Sequence, residues 1–230
     1  MLSQAMISRS PSRAPVGYVA RPAAPVHSHP VTNSIELMGA SMPFARNSEI
    51  YGENEPAEYL YRVISGTVRT YRMLNDGRRQ IGAFYLPGDL FGLEIGQDHS
   101  FSAEAIIDSK IMVIKRSSVM GLAERQSDVA RQLWTMTAAE LLRTQSHIML
   151  LIKTAQERVA GFLLEMAARS PAGKEVELPM PRQDIADYLG LTIETVSRTL
   201  TQLENASAIA LPSSRRIVLR NRAALARMNG

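Results

Sequence analysis

The 230-residue sequence contains no cysteine. That excludes disulfides, thiolate zinc sites, cysteine-ligated iron–sulfur clusters and any cysteine nucleophile. It also lacks an apolar run approaching the roughly 20 residues of a membrane span, so no membrane partner is expected. No apolar segment of signal-peptide length opens the chain, which makes the cytoplasm the default compartment. Gly-x-Ser-x-Gly, P-loop and His-Glu-x-x-His patterns are all missing. Enzymatic activity has no residue to carry it.

What is present is an uneven distribution of charge. The net value is +4, with 26 Lys and Arg against 22 Asp and Glu. Residues 1–30 hold three arginines and no acid, residues 31–170 hold fifteen basic and sixteen acidic side chains, and residues 171–230 hold eight basic and six acidic. In that last block no acid follows Glu204, whereas Arg215, Arg216, Arg220, Arg222 and Arg227 do. A neutral middle is thus flanked by basic ends. A basic terminus is compatible with a solvated tail or with a nucleic-acid reader.

Residues 1–42 are rich in Ser, Pro and Ala and show no helical or strand period, so they read as a flexible arm. Residues 43–125 carry short β-branched and aromatic runs: Leu60–Ile64, Thr67–Leu74, Gln80–Leu86, Phe101–Ile107 and Lys110–Ile114. Asn75-Asp76-Gly77 and Pro87-Gly88-Asp89 separate some of them. Such punctuation every 8 to 12 residues predicts an antiparallel sandwich, roll or barrel.

Residues 126–154 read as one long helix, since Ser127 to Lys153 contains neither Pro nor Gly. Trp134, Ala138, Leu141, Ile148 and Ile152 fall on one stripe, and Leu133 and Met136 lie beside it. A helix apolar on two sides wants two partners. One is the β-domain; for the other we expect the same helix of a second subunit, making a homodimer. A helix buried wholly within one chain is the alternative. Gln156 to Ala168 predicts a further helix, ended by Ser170-Pro171-Ala172-Gly173.

Residues 155–230 hold the functional motif. Arg182 to Leu189 predicts a short helix burying Ile185, Ala186 and Leu189, and Gly190 supplies a turn for which a left-handed backbone suits only glycine. Thr192 caps a second helix with the inner face Val196, Leu200 and Leu203. Two short helices about a glycine turn make a helix-turn-helix, whose second helix enters the DNA major groove. Glu194, Ser197 and Arg198 project together from its N-terminal half. Arg can bond guanine O6 and N7 bidentately, Glu can accept from cytosine N4, and Ser can bond a base edge or a phosphate. Ile193 joins this base-reading set. Arg182, Gln183, Thr192, Thr195, Arg215 and Arg216 make the phosphate-contacting set. A Glu–Arg pair at i, i+4 is ordinarily a solvated ion pair, but here it follows a glycine turn on a helix with a matching inner face. Ala208–Leu211 and Arg216–Arg220, joined by Pro212-Ser213-Ser214, predict a β-hairpin wing with Arg215 and Arg216 at its tip. The expected partner is double-stranded DNA.

The sequence resembles the Crp/Fnr superfamily of bacterial transcription regulators. The resemblance rests on Tyr-Leu-Gly-Leu-Thr-x-Glu-Thr-Val-Ser-Arg at 188–198, on Gln-Glu-Arg-Val-Ala-x-Phe-Leu-Leu at 156–164 and on Pro-Gly-Asp-Leu-Phe-Gly at 87–92. It covers roughly residues 45–225. It implies an α+β chain: an N-terminal cyclic-nucleotide-binding-type β-roll, a long dimerisation helix and a C-terminal winged helix-turn-helix. The Glu-x-x-Ser-Arg reader is similar to the Fnr and FixK-like branches. That implies a TTGAT-N4-ATCAA-like palindrome, with Arg198 on the guanine, Glu194 on a base across the TTG step and Ser197 on a nearby thymine or phosphate. It further implies an activator that meets RNA polymerase under oxygen limitation or in nitrogen fixation.

The departures narrow the expected control. Cyclic-nucleotide-binding members carry Gly-Glu after the Pro-Gly-Asp turn and then Arg-Ser; here Leu93 follows Gly92, and His99-Ser100-Phe101-Ser102 replaces Arg-Ser. A phosphodiester needs a fixed cation, and no arginine lies between Arg79 and Arg116. Without cysteine the iron–sulfur sensor of Fnr is absent. His27 and His29 form a His-x-His pair like that of cupin metal sites, but no Glu stands at cupin spacing, and His99 and His147 are isolated. We therefore expect no cofactor and no metal, and a FixK-like factor active without ligand and controlled through its own synthesis. The alternatives are a regulator gated by an unidentified ligand in the β-roll and an architectural DNA binder. Pro181 stands where relatives place a Ser or Thr cap, which predicts a modest stability cost.

Overall fold

A computed structural model describes residues 38–94, 96–170 and 175–229. The arm up to residue 37, with His27 and His29, lies outside the described residues. Eight strands come first: β1 (Gly39–Phe44), β2 (Glu49–Tyr51), β3 (Tyr59–Ser65), β4 (Val68–Met73), β5 (Arg79–Tyr85), β6 (Leu90–Phe91), β7 (Ser102–Ala105) and β8 (Ser109–Lys115). They form two four-stranded antiparallel sheets, ordered β1-β8-β3-β6 and β2-β7-β4-β5. The inner faces bury Tyr51, Tyr61, Val63, Val68, Tyr85, Phe91 and Ile111 between them. Alternation of such residues with polar ones is what makes these segments strands with one dry face.

Strand β1 begins at Gly39, inside the stretch that composition assigns to the arm, because its pairing with Ile114–Ser109 is a tertiary ladder rather than a local preference. Two short strands, β2 and β6, also carry no sequence signal of their own.

Helix α1 (Arg116–Arg125) follows β8 directly, where the sequence predicts no helix. Helix α2 (Ser127–Leu151) is 25 residues long, about 37 Å at 1.5 Å per residue. Its N-terminal half packs Val129 and Leu133 against Leu60, Ile114 and Val119. Helix α3 (Ala155–Arg169) opens with a capping box: the Thr154 hydroxyl accepts from the Glu157 amide, and the Glu157 carboxylate accepts from the Thr154 amide.

The remaining elements are β9 (Glu175–Glu177), α4 (Arg182–Leu189), α5 (Ile193–Asn205), β10 (Ile209–Ala210), β11 (Arg216–Leu219) and α6 (Arg222–Met228). The expected hairpin is the pair β10–β11, and β9 adds a third strand, giving the order β10-β11-β9.

One hydrophobic core runs through both halves of the chain. Ile81, Phe84 and Ile106 of the β-roll pack with Leu150 of α2, Phe162 and Leu163 of α3, Tyr188 and Leu189 of α4, and Leu200 and Leu203 of α5. Phe84, Phe162 and Tyr188 lie with ring centroids 5.1–6.2 Å apart. Such contacts add to plain area burial. Phe162 is fully buried at that junction. Phe162→Ala should therefore cost about 3–5 kcal/mol, read as a fall in the urea midpoint without a change in slope.

Candidate nucleic-acid interface

Helix α4 starts at Arg182 behind Pro181, which occupies the cap position and offers no side-chain hydrogen bond. It ends at Gly190, whose φ of 61° and ψ of 42° are left-handed. Helix α5 then opens on Thr192, whose hydroxyl accepts from the Thr195 amide at 3.2 Å. Ile185, Ala186 and Leu189 of α4 and Val196, Leu200 and Leu203 of α5 are buried against one another. The apolar pattern read from sequence is thus the face on which the two helices meet.

The opposite face of α5 points outward. Ile193, Glu194 and Arg198 are exposed, and Ser197 is half-buried. Among the described residues no hydrogen bond or ion pair engages the Arg198 guanidinium, and Glu194 does not neutralise it. Glu194 sits in the first turn, where its own amide and the Thr192 hydroxyl hold its carboxyl below the usual glutamate range. A charged acceptor and a free guanidinium therefore stand one turn apart on one exposed edge.

The phosphate-contacting set is only partly free. Thr192 and Thr195 bond each other at 3.1 Å beside the helix N-terminus. Arg182 reaches across from α4, its Nη1 donating to Ser197 Oγ at 3.2 Å. Gln183 Nε2 donates to Asp187 Oδ1 at 2.6 Å. Arg215 is exposed in the wing, whereas Arg216 is ion-paired with Glu175 of β9.

Along α2 the expected stripe is bare in the single chain. Trp134 and Ile152 are each 74% exposed, and Leu141 and Ile148 are exposed as well; Ala138 is half-buried. Leu142 and Met149 widen the patch.

The β-roll contains a cavity of about 300 Å³ lined in part by Tyr51, Tyr85, Glu94, Ser100, Phe101 and Glu140. Tyr85 donates to Glu140 Oε1 at 3.0 Å, so α2 forms one wall of it. Glu94 accepts from the Ser100 amide at 2.8 Å and bonds the His99 ring at 2.5 Å; that ring stacks on Tyr51 at 3.6 Å. The described lining carries carboxylates and no Arg or Lys. No group of His, Asp and Glu that could hold a metal ion occurs among the described residues, and no described helix is long and apolar enough to cross a membrane.

Sequence reasoning missed a seam of charge. Asp184 is 1% exposed and lies between two β-roll arginines: Arg69 Nη1 donates to its Oδ2 and Arg79 Nη2 to its Oδ1, both at 2.5 Å. In sequence Asp184 passes for an ordinary first-turn acid, and nothing in the spacing of Arg69 and Arg79 points 105 to 115 residues ahead. Nearby, His147 Nε2 donates to the Tyr188 carbonyl at 2.7 Å, and its ring stacks on Tyr188 at 3.9 Å. Burial pushes the His147 imidazole below its ordinary value.

The model of a Crp-like helix-turn-helix domain matches residues 157–228, and that of a cyclic nucleotide-binding domain matches residues 41–126. The chain belongs to the Crp/Fnr family of transcription regulators, built from a β-roll and a helix-turn-helix DNA-binding domain. Its resemblance within the family is to FixK proteins. It is 52% identical over 201 residues to the nitrogen fixation regulation protein FixK of Azorhizobium caulinodans, covering 85% of this chain and 81% of that one. The protein of the same name from Rhizobium meliloti is 44% identical over 170 residues, covering 74% and 77%. The solved structure of FixK2 from Bradyrhizobium japonicum superposes with a TM-score of 0.80 at 52% identity, over 84% of this chain and 98% of that one. These relatives are regulators, not enzymes.

The local cost of the turn is testable. A Cβ at position 190 would meet Arg158 Nη1 at 3.5 Å and Leu151 Cδ2 at 3.7 Å, ordinary contact distances. The penalty of Gly190→Ala is therefore conformational, about 1–2 kcal/mol. Gly190→Asn should lose less in the same denaturant titration.

Proposed function

We propose that the chain acts as a homodimer that reads a TTGAT-N4-ATCAA-like palindrome and activates transcription through RNA polymerase in the cytoplasm. The observation that carries this is the exposed edge of α5, with ionised Glu194, Ser197 and an unengaged Arg198 on a capped helix behind a left-handed glycine. Arg198 takes the guanine, Glu194 a base across the TTG step and Ser197 a thymine or phosphate, with Ile193 packing beside them. Arg182, Gln183, Thr192, Thr195, Arg215 and Arg216 line the backbone path. Three of these reach it indirectly: Arg182 orients Ser197, Gln183 is held by Asp187, and Arg216 exchanges Glu175 for phosphate.

The dimer seam is the α2 stripe. Trp134, Ala138, Leu141, Ile148 and Ile152 recur at spacings of four, three, seven and four, a heptad row suited to a left-handed coiled pair. The division of labour is an arm (1–42, less the strand from Gly39), a β-roll (43–125), a dimer helix (126–154) and a reader (155–230). By the relatives' names, the regulated genes belong to nitrogen fixation.

Independence from a small-molecule effector is supported by the β-roll cavity. A cyclic nucleotide would bring its phosphodiester to Glu94 and Glu140 with no lining cation to receive it. Glu94 already engages the amide of Ser100 and Nδ1 of His99, leaving the buried His99 Nε2 without a hydrogen-bond partner among the described residues.

In a binding titration on the palindrome, Arg198→Ala should lose about 1–3 kcal/mol per half-site and relax preference at the guanine. Adding cyclic nucleotide to the wild type should change affinity by less than about tenfold, or 1.4 kcal/mol of coupling. Unchanged guanine discrimination, or a larger nucleotide effect, would defeat the corresponding assignment. Leu141→Glu or Trp134→Glu should give a monomer by light scattering and abolish binding to the palindrome; a variant that stays dimeric sinks the seam.

A further inference from the structure

The reader helix is carried by α4, and α4 is fastened to the β-roll by more than apolar packing. Arg69 on β4 donates to Asp184 Oδ2 through Nη1 and to Glu104 Oε1 on β7 through Nη2, at 2.5 and 2.9 Å. Arg79 on β5 donates to Asp184 Oδ1 at 2.5 Å, and its Nε and Nη2 lie 2.8 and 2.7 Å from Asp187 Oδ2. Two guanidinium groups on one sheet thus grip two carboxylates one turn apart on one helix. Arg69 and Asp184 are almost wholly out of water, and Arg79 sits at the rim.

The two kinds of contact fix different things. Apolar packing of Phe84 with Phe162 and Tyr188 is non-directional and tolerates small rotations. Paired guanidinium–carboxylate bonds are planar and angle-dependent, and a buried carboxylate cannot slip away from its donors without leaving charge unpaired. The covalent route from dimer helix to reader is the short link Ile152–Thr154 between α2 and α3. Rotation there would swing α5 relative to the dimer axis. The clamp closes a second route, through the β-roll, that removes this freedom.

We infer that Asp184, held between Arg69 and Arg79, is a positioning residue that sets the spacing between half-sites. This rests on the palindrome reading above. One added base pair moves a half-site by about 3.4 Å and turns it by about 35°. A reader locked in angle rejects that change, and a reader free to pivot accommodates it. The clamp touches no base, so it governs the spacer and leaves the letters of each half-site to Glu194, Ser197 and Arg198.

The test uses the full chain and a series of TTGAT-Nx-ATCAA duplexes with x from 3 to 6, titrated by fluorescence anisotropy. The wild type should favour N4 over N3 and N5 by at least about tenfold. Asp187→Asn weakens only the rim contact with Arg79, and Arg79→Gln also removes one of the two donors to Asp184; both leave the buried Arg69–Asp184 pair, so both should fold. Each should lower the N4 preference at least about threefold while guanine discrimination within a half-site stays at the wild-type value. The inference is overturned by a wild type indifferent to spacer length, or by unmoved spacer preference in both variants. Loss of guanine discrimination together with spacing would also overturn it, since that marks a general loosening. A wild type blind to the half-site guanine condemns the palindrome reading instead, which keeps the two failures apart.

Discussion

An ionised carboxylate removed from water must be met by cations or other hydrogen-bond donors, or it takes up a proton. Asp184 meets two cations, and they come from a different part of the chain. Much follows from that single requirement. It brings the second β-sheet onto α4, aligns Phe84 with Tyr188, and places His147 of α2 against the Tyr188 ring and carbonyl. Arg169 of α3 extends the same seam by donating to the Phe84 carbonyl and pairing with Asp89, which Arg143 of α2 also approaches. Sheet, long helix and reader are joined at one place, and the core passes through it without interruption.

The parts of this arrangement that were legible in the sequence are those governed by local periodicity. Gly190, Thr192 and the inner row Val196, Leu200 and Leu203 declare a helix-turn-helix because each requirement is met within a few residues. The strands around Leu60, Thr70 and Ile81 were legible for the same reason, through alternation and Gly-containing turns. Strand β1, helix α1 and strand β9 were not. Gly39–Phe44 and Glu175–Glu177 have little strand character alone and are ordered by pairing with β8 and β11. Of the candidate site, the exposed reader edge and the bare α2 stripe matched their sequence pattern. The engagement of Arg182 with Ser197 and of Arg216 with Glu175 did not show, because sequence spacing cannot reveal which surface arginines are occupied.

The β-roll encloses a cavity against α2 that is lined by aromatic rings, carboxylates, hydroxyls and aliphatic side chains. Glu94 turns inward onto the Ser100 amide and Nδ1 of His99, while the buried His99 Nε2 has no hydrogen-bond partner among the described residues. Tyr85 and Glu140 tie the cavity wall to the long helix.

The bare apolar row on α2 has a consequence for how such a regulator responds to its own abundance. If two copies join along it to make the DNA-binding form, then at low abundance the amount of that form rises with the square of the protomer concentration. A twofold change in synthesis becomes nearly a fourfold change in promoter-competent species. The long helix would then act as the protein's gain control, turning graded supply into a steep genetic response.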